Sequence, residues 1–368
     1  MELANIARQF GVAGRLVTIN PTGSGNINDT YLAIFRTAFS EERIIIQRIN
    51  KHVFKRPEAI MENMRAITEH VHPKLEREAD TADRIWQLPR IIPVRQGGDF
   101  LIDDEGEYWR AITLIASAVS HDEAQGAEHA VEVGTVLGQF HRLLSDLDPA
   151  KLNNPLPGFH VTPLYLAQND EVSKTPAAQV RLRASVEARR LRKFVEERRA
   201  FTGVLQQALE AGELQLRLIH GDPKVNNIMI DQFTGKGTSI IDLDTVGPGL
   251  IHYDFGDALR SICNRAGEEE QNLAEVVFDL DLCEAFCRGY MHCARDFLTP
   301  ADRRYLFASI RLIAFELGLR FFEDHLNGNA YFKVRYPEQN LNRARVQFRL
   351  CESIEARERR IQEILDAV

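Results

Sequence analysis

The chain has 368 residues, 44% hydrophobic and 27% charged, ordinary proportions that exclude a wholly disordered chain and leave room for two domains or one large two-lobed unit. A formal net charge of −8 provides no basic footprint, so neither nucleic acid nor an anionic membrane is an expected partner. No apolar run approaches the ~18 residues of a membrane span, and the first ten residues lack a signal-peptide core. The five cysteines include no Cys-x-x-Cys pair, which suits reduced thiols, and the expected compartment is the cytoplasm.

Residues 1–20 read as a helix followed by a short strand over 15–20, then a turn-rich run, Pro21-Thr22-Gly23-Ser24-Gly25-Asn26. Apolar segments at 30–35 and 43–49 predict an antiparallel hairpin. Pro57 opens a helix over 58–70, with Ala59, Ile60, Met64 and Ile67 on one side. Short strands are expected at 85–94, 100–102 and 108–115. This gives an α+β lobe over residues 1–115. Beyond it the pattern turns helical: a helix over 129–147, a Pro-rich loop over 153–163, a long charged helix over 184–210, a strand-rich island over 216–244, and helices thereafter. Cys283 and Cys287, four apart in a helical stretch, read as buried packing rather than a metal site.

The island carries the chemistry. A strand delivers His220-Gly221-Asp222, and Asn227 follows five residues after the acid. Two further strands, joined through Thr234-Gly235-Lys236-Gly237, form a hairpin that ends in Asp242. Centring that hairpin on Thr234–Gly235 sets Asn227 opposite Asp242, where Cβ atoms lie about 4.5–5.5 Å apart. An amide oxygen and a carboxylate that close can share Mg²⁺, a hard ion. Asp222 is then free to accept a proton from an attacking hydroxyl, and these are the parts that phosphoryl transfer needs. Lys224 either neutralises the transferring phosphate or is a solvated lysine; His220 braces the loop backbone. Asp254-Phe255-Gly256 spells a kinase metal motif but follows a Gly-Pro-Gly loop, so Asp254 is read as ordering the catalytic loop. Gly23, Ser24, Gly25 and Asn26 lie between two strands. That is unlike a dinucleotide fingerprint, which needs a helix next, and it suits a loop folded over nucleotide phosphates.

These residues resemble the aminoglycoside phosphotransferase / choline kinase superfamily, and more closely its N-acetylhexosamine 1-kinase branch. The likeness runs through 23–31 (Gly-Ser-Gly-Asn-Ile-Asn-Asp-Thr-Tyr), 47–50, 53–63, Tyr108-Trp109-Arg110, Gly158-Phe159-His160, the 220–227 loop, 241–245 and 318–333. The resemblance implies a two-lobed, protein-kinase-like fold: a small β-rich N-lobe (1–115) and a larger, mainly helical C-lobe (116–368). It implies ATP in the cleft and a hinge near Ile115. Asp222 becomes the base, and Asn227 and Asp242 the magnesium ligands. A sugar would be held by Arg320 and Tyr331, with Asn26 and Asn28 also in reach. An ordinary helical ion pair between Glu316 and Arg320, or a core Tyr331, would explain those two residues as well.

One departure stands out. Kinase-like folds place a lysine on the third strand to hold the α/β-phosphates, whereas here that strand offers only Gln47 or Arg48. Alternation allows one of the two to face the cleft, with Glu62 as partner if it is Arg48. The leading expectation is a sugar kinase. The alternatives are an aminoglycoside- or choline-type kinase, for which the seven acids between Glu268 and Glu284 would suit a cationic substrate, and a nucleotide-binding pseudokinase scaffold. A protein kinase is disfavoured: the stretch from Asp242 to Asp254 is too short for an activation loop, and there is no Ala-Pro-Glu.

Overall fold

The computed structural model describes residues 2–23, 27–78 and 84–368; Ser24, Gly25 and Asn26 of the expected phosphate loop lie outside them. The chain opens with α1 (Leu3–Arg8), β1 (Arg15–Pro21), β2 (Asp29–Arg36) and β3 (Glu41–Ile49), followed by α2 (Pro57–Glu78), β4 (Ile91–Ile92), β5 (Leu101–Ile102) and β6 (Tyr108–Thr113). These strands make one antiparallel sheet in the order β1-β2-β3-β6-β4, with β5 also on β6. Its buried face, including Phe35, Ile44, Ile46, Trp109 and Ala111, packs with Ile6, Ala7 and Phe10. The expected hairpin is present, with Asp29 paired to Arg48 and Arg36 to Glu41.

Two expectations in this part change. The helix after Pro57 runs to Glu78 because Val71 and Leu75 extend the buried stripe of Met64 and Ile67. That stripe enters the helical core rather than the sheet's own core. The strand expected over 85–94 shrinks to two residues, since Pro89 and Pro93, which cannot donate to a ladder, bracket it.

After β6, β7 (Ala118–Val119) leaves the large sheet and joins a second one. Helices α3 (Ala127–Leu144), α4 (Thr162–Lys174), α5 (Pro176–Ala184), α6 (Val186–Arg198) and α7 (Val204–Glu210) follow. The long charged helix expected over 184–210 is therefore two. Ser185 accepts from the Ala188 N–H as the N-cap of α6, and a 3₁₀ turn over Arg199–Phe201 separates α6 from α7. Next come β8 (Arg217–Ile219), β9 (Ile228–Asp231), β10 (Gly237–Ile240), β11 (Gly247–Gly249), α8 (Ile251–Ile262), α9 (Leu280–Ala294), α10 (Pro300–Arg304), α11 (Leu306–Leu326), α12 (Gln339–Glu355) and α13 (Glu358–Ala367). The small sheets are β10-β9-β7 and β11-β8. The result is a mixed α+β fold, an antiparallel sheet followed by a mainly helical body. Among the described residues no helix is long and apolar enough to cross a membrane.

Residues 114–117 carry the chain from β6 to β7, with Ser117 in the left-handed region at φ 57°. Buried Ile115 lines the cleft between the large sheet and the helical body. Below the cleft, α3 and α9 cross with their backbones in contact: a Cβ on Gly289 would sit 2.0 Å from the Val131 carbonyl oxygen.

Candidate active site

The short strand β8 ends at Ile219, and the next three residues are pinned from several directions. Asp254, in the first turn of α8, accepts the backbone N–H of His220 (2.6 Å) and of Gly221 (2.8 Å). His141 Nε2 lies 2.8 Å from the same carboxylate, and His141 Nδ1 lies 2.9 Å from the Tyr290 hydroxyl. Burial pushes the Asp254 carboxyl up, but the His141 bond and charge, together with His220, outweigh it and hold it below the usual range. Asp254 orders the loop, as the sequence suggested. His220 is fully buried and donates from Nε2 to the Ile241 carbonyl (2.9 Å), while its Nδ1 accepts the Asp222 N–H (3.2 Å). That tautomer is neutral, in keeping with the downward shift that burial imposes.

With its backbone held, the Asp222 side chain projects into the cleft, where Lys224 Nζ lies 3.0 Å from Oδ2. The Asp222 charge is the main cause that raises the Lys224 ammonium, so the lysine is an ion-pair partner of Asp222 and not a free solvated side chain. Asn227 closes a 3₁₀ turn over Val225–Asn227, and its Nδ2 donates to the Asp222 carbonyl (2.8 Å). This commits the amide nitrogen and leaves the oxygen as the end available to a cation.

The hairpin register differs from the expected one. Ile228 pairs with Ile240, the Ile241 N–H donates to the Asn227 carbonyl (2.9 Å), and the ladder slips by one residue between Gly237 and Ser239. Asn227 thus faces Ile241 rather than Asp242: the turn centres one residue earlier than expected, with the Asp231 N–H donating to the Lys236 carbonyl (2.8 Å), and the bulge on β10 makes up only half of that two-residue offset. Asp242 follows in the left-handed conformation (φ 66°, ψ 57°), which costs a non-glycine residue about 1–2 kcal/mol. The turn re-aims its side chain, and Asp222, Asn227 and Asp242 all line one cleft of about 560 Å³. Enclosure by the cleft, then the charges of Asp244 and Asp222, push the Asp242 carboxyl up to about 7; Lys224 and Arg110 pull the other way. A carboxylate so crowded by others lacks positive charge. With the Asn227 oxygen beside it, the donor set fits a hard divalent ion.

On the large sheet, alternation settles which third-strand residue faces inward. Gln47 lines the cleft, whereas Arg48 turns outward to Asp29 (Nε to Oδ2 2.9 Å) and over the Trp109 ring. The partnership of Arg48 with Glu62 is not formed: exposed Glu62 accepts from Asn153 Nδ2 (2.8 Å). Asn28, expected near a sugar, has both ends of its amide engaged. It donates to Asp244 (2.5 Å) and accepts the Asn50 N–H (3.0 Å).

Three groups had no role in the sequence reading. Arg110 on β6 stands directly opposite Gln47 and donates to its Oε1 through Nε (2.9 Å) and NH2 (2.7 Å). Asp244 forms a buried ion pair with Arg110. Asp257 lines the cleft and accepts from Arg260 (2.8 Å), which also reaches Glu268 (2.7 Å). The pairing of β3 with β6 was the available signal for Arg110; nothing local marked the other two.

At the far wall Arg320, on α11, is ringed by aromatics. Its guanidinium carbon is 5.2 Å from the Phe159 ring centre, 5.1 Å from Tyr165, 5.9 Å from Tyr331 and 5.5 Å from Phe332. The helical ion pair with Glu316 does not form, because Glu316 takes His160 Nδ1 (2.9 Å) and the Thr162 hydroxyl (2.6 Å) instead. Tyr331 is 54% exposed, so it is no core residue.

A sheet set over a helical body, with a pinned acid, an amide and a second acid on the floor of the cleft, is the architecture of kinase-like phosphotransferases that act on hydroxyl groups. The chain belongs to the phosphotransferase enzyme family, whose model matches residues 18–290. Solved structures with a similar fold include an aminoglycoside phosphotransferase from Alicyclobacillus acidocaldarius (12% identity, covering 100% of this chain and 97% of that one, TM-score 0.61). A microcompartment-associated aminopropanol kinase (17%, 98% and 97%, 0.58) and a choline kinase from Cryptosporidium parvum (14%, 94% and 91%, 0.56) are also similar. A spectinomycin phosphotransferase solved with ADP and spectinomycin (12%, 94% and 94%, 0.52) shares the fold too.

Proposed function

We propose that the chain transfers the γ-phosphate of ATP to a hydroxyl of a small, oxygen-rich acceptor, a sugar in the manner of N-acetylhexosamine 1-kinases. Asp222 takes the hydroxyl proton as the oxygen attacks phosphorus; the new O–P bond forms as the bond to the β-phosphate oxygen breaks and ADP departs. Asn227 and Asp242 would hold Mg²⁺, which would supply charge neutralisation on the polyphosphate. Lys224, ion-paired with Asp222, stands beside the transferring group.

The observation that carries the choice of acceptor is Arg320. Aromatic faces are the usual seat for a quaternary or protonated amine, but the faces of Phe159, Tyr165, Tyr331 and Phe332 surround the chain's own guanidinium. An amine would meet like charge there, whereas hydroxyl or carbonyl oxygens would meet donors. Of the acidic run that might have attracted a cation, Glu268 lines the cleft and pairs with Arg260, Glu269 pairs with Arg335 and Arg343, and Asp279 pairs with Arg265.

The test is ADP release with Mg²⁺ and ATP across a panel of monosaccharides, choline, ethanolamine, aminopropanol and aminoglycosides. Stimulation by a monosaccharide, lost by about 10²–10⁴-fold in Asp222→Asn, is the expected result. Faster turnover on any of the amines would overturn the acceptor assignment. Nucleotide binding without transfer to any member would leave a scaffold as the better reading.

A further inference from the structure

The third strand lacks the phosphate-holding lysine, and the structure shows that neither of the two residues left there takes its place directly. Arg48 faces outward, and Gln47 is neutral and occupied at both ends: its Oε1 by Arg110, its Nε2 by the Thr30 hydroxyl (3.1 Å). The cation that this strand presents to the cleft belongs to its neighbour. Arg110 is 1% exposed and lines the cleft beside Gln47.

Its hydrogen bonding is incomplete in a particular way. Nε and NH2 are satisfied by Gln47, while the ion pair of NH2 with Asp244 Oδ1 leaves that oxygen, like buried NH1, without a hydrogen-bond partner. Buried donors of a charged group are rarely left without an acceptor, and at 1% exposure no bulk water completes this one. Arg110 lines the same cleft as Asp222, Asn227 and Asp242, which places the guanidinium in the space where a polyphosphate would lie. If Arg110 served only as the counter-ion of Asp244, a lysine would do. A planar fork steered by a glutamine at Nε and NH2, with the NH1 edge left over, is instead the arrangement that oxyanion recognition uses.

Building on the ATP-dependent reading above, we infer that Arg110 is the cationic group for the nucleotide's α/β-phosphates in place of a third-strand lysine, with Gln47 orienting its guanidinium. Asp244 holds the side chain until nucleotide arrives, and a small shift of the Gln47–Arg110 pair toward the cleft brings NH1 to a phosphate oxygen.

The experiment is calorimetric titration of the full chain with ADP and, separately, adenosine, both with Mg²⁺. Arg110→Gln is expected to weaken ADP by tenfold or more and to leave adenosine within twofold, since adenosine has no phosphate to lose. Arg110→Lys, which keeps the charge and covers the case where the glutamine variant does not fold, is expected to show the same selectivity with a smaller loss. Asp244→Asn, which removes the counter-ion but not the fork, is expected to keep ADP within a few fold of the unsubstituted chain. Equal weakening of ADP and adenosine, or no weakening of ADP, would make Arg110 a structural clasp and overturn the inference. Failure of the unsubstituted chain to bind either ligand would instead remove the nucleotide reading on which it rests.

Discussion

His160 donates from Nε2 to the main-chain oxygen of Gly221 across 2.8 Å while its Nδ1 stands 2.9 Å from Glu316. One imidazole thus ties the Pro-rich loop, a carboxylate on α11 and the residue before Asp222 into a single unit. Both ring nitrogens donate only when the ring is charged.

This predicts a pH dependence with a definite sign. Burial alone would lower the His160 pKa, but the charge and hydrogen bond of Glu316, the more distant Asp257 and the Gly221 carbonyl outweigh it, and the net shift is upward. Around the ring, Tyr253 stacks at 5.4 Å and the Thr162 hydroxyl satisfies the second Glu316 oxygen. A histidine raised in the native state contributes stability fully below its unfolded value of about 6.5, and loses it as pH climbs through the native value. The unsubstituted chain should lose melting temperature relative to His160→Asn as pH rises on the alkaline side. Parallel melting curves against pH for the two proteins would remove this role.

Asp242 titrates in the same sense, over a lower window. Its carboxyl is raised to about 7 against an unfolded value near 3.9. The metal-free native state therefore binds more protons than the unfolded chain between about pH 4 and 7, and its stability falls as pH rises across that window. A divalent cation relieves the penalty only once the proton has gone, because metal binding displaces it. Mg²⁺ should raise the melting temperature more at pH 8 than at pH 5.5, and Asp242→Asn should abolish the difference. A Mg²⁺ effect equal at both pH values would count against Asp242 as ligand.

Arg320 separates acceptor binding from nucleotide binding. A hydrogen bond from a charged donor contributes about 1.5–3 kcal/mol, so Arg320→Met should raise the acceptor KM about ten- to a hundredfold. The KM for ATP should stay unchanged, since Arg320 lies on the helical side of the cleft. Steady-state kinetics with each substrate varied in turn distinguish the two. A rise confined to the ATP KM would contradict the assignment.

The crossing of α3 and α9 should be intolerant of one methyl group. In Gly289→Ala the new carbon would meet the Val131 carbonyl at 2.0 Å and the Thr135 hydroxyl at 2.9 Å. Both lie on a helix that cannot move without disturbing His141. Overpacking of this kind costs about 1–3 kcal/mol, sometimes more, and a lower urea midpoint at unchanged slope would report it. A midpoint equal to that of the unsubstituted chain would show that the helices part easily.

The local spacing of His220, Asp222, Asn227 and Asp242 was legible because a strand, a tight loop and a hairpin hold residues within about twenty positions of one another. Apolar periodicity likewise located the sheet strands and α3. Even there the reading stopped short of the register, since the turn centres on Phe233–Thr234, the bulge at Gly237–Ser239 makes up only part of that offset, and Asp242 is left-handed. Asn28 joins Asp244 across 216 positions and His160 joins Glu316 across 156, while Arg110 meets Asp244 from a strand of the large sheet. No periodicity connects such pairs. Composition and short-range pattern determined that this chain folds as a sheet with a helical body and carries phosphoryl-transfer chemistry. Which cation faces the phosphates, and that the aromatic wall is already filled by Arg320, were decided only by tertiary packing, because charge pairing and burial follow distance in space rather than order along the chain.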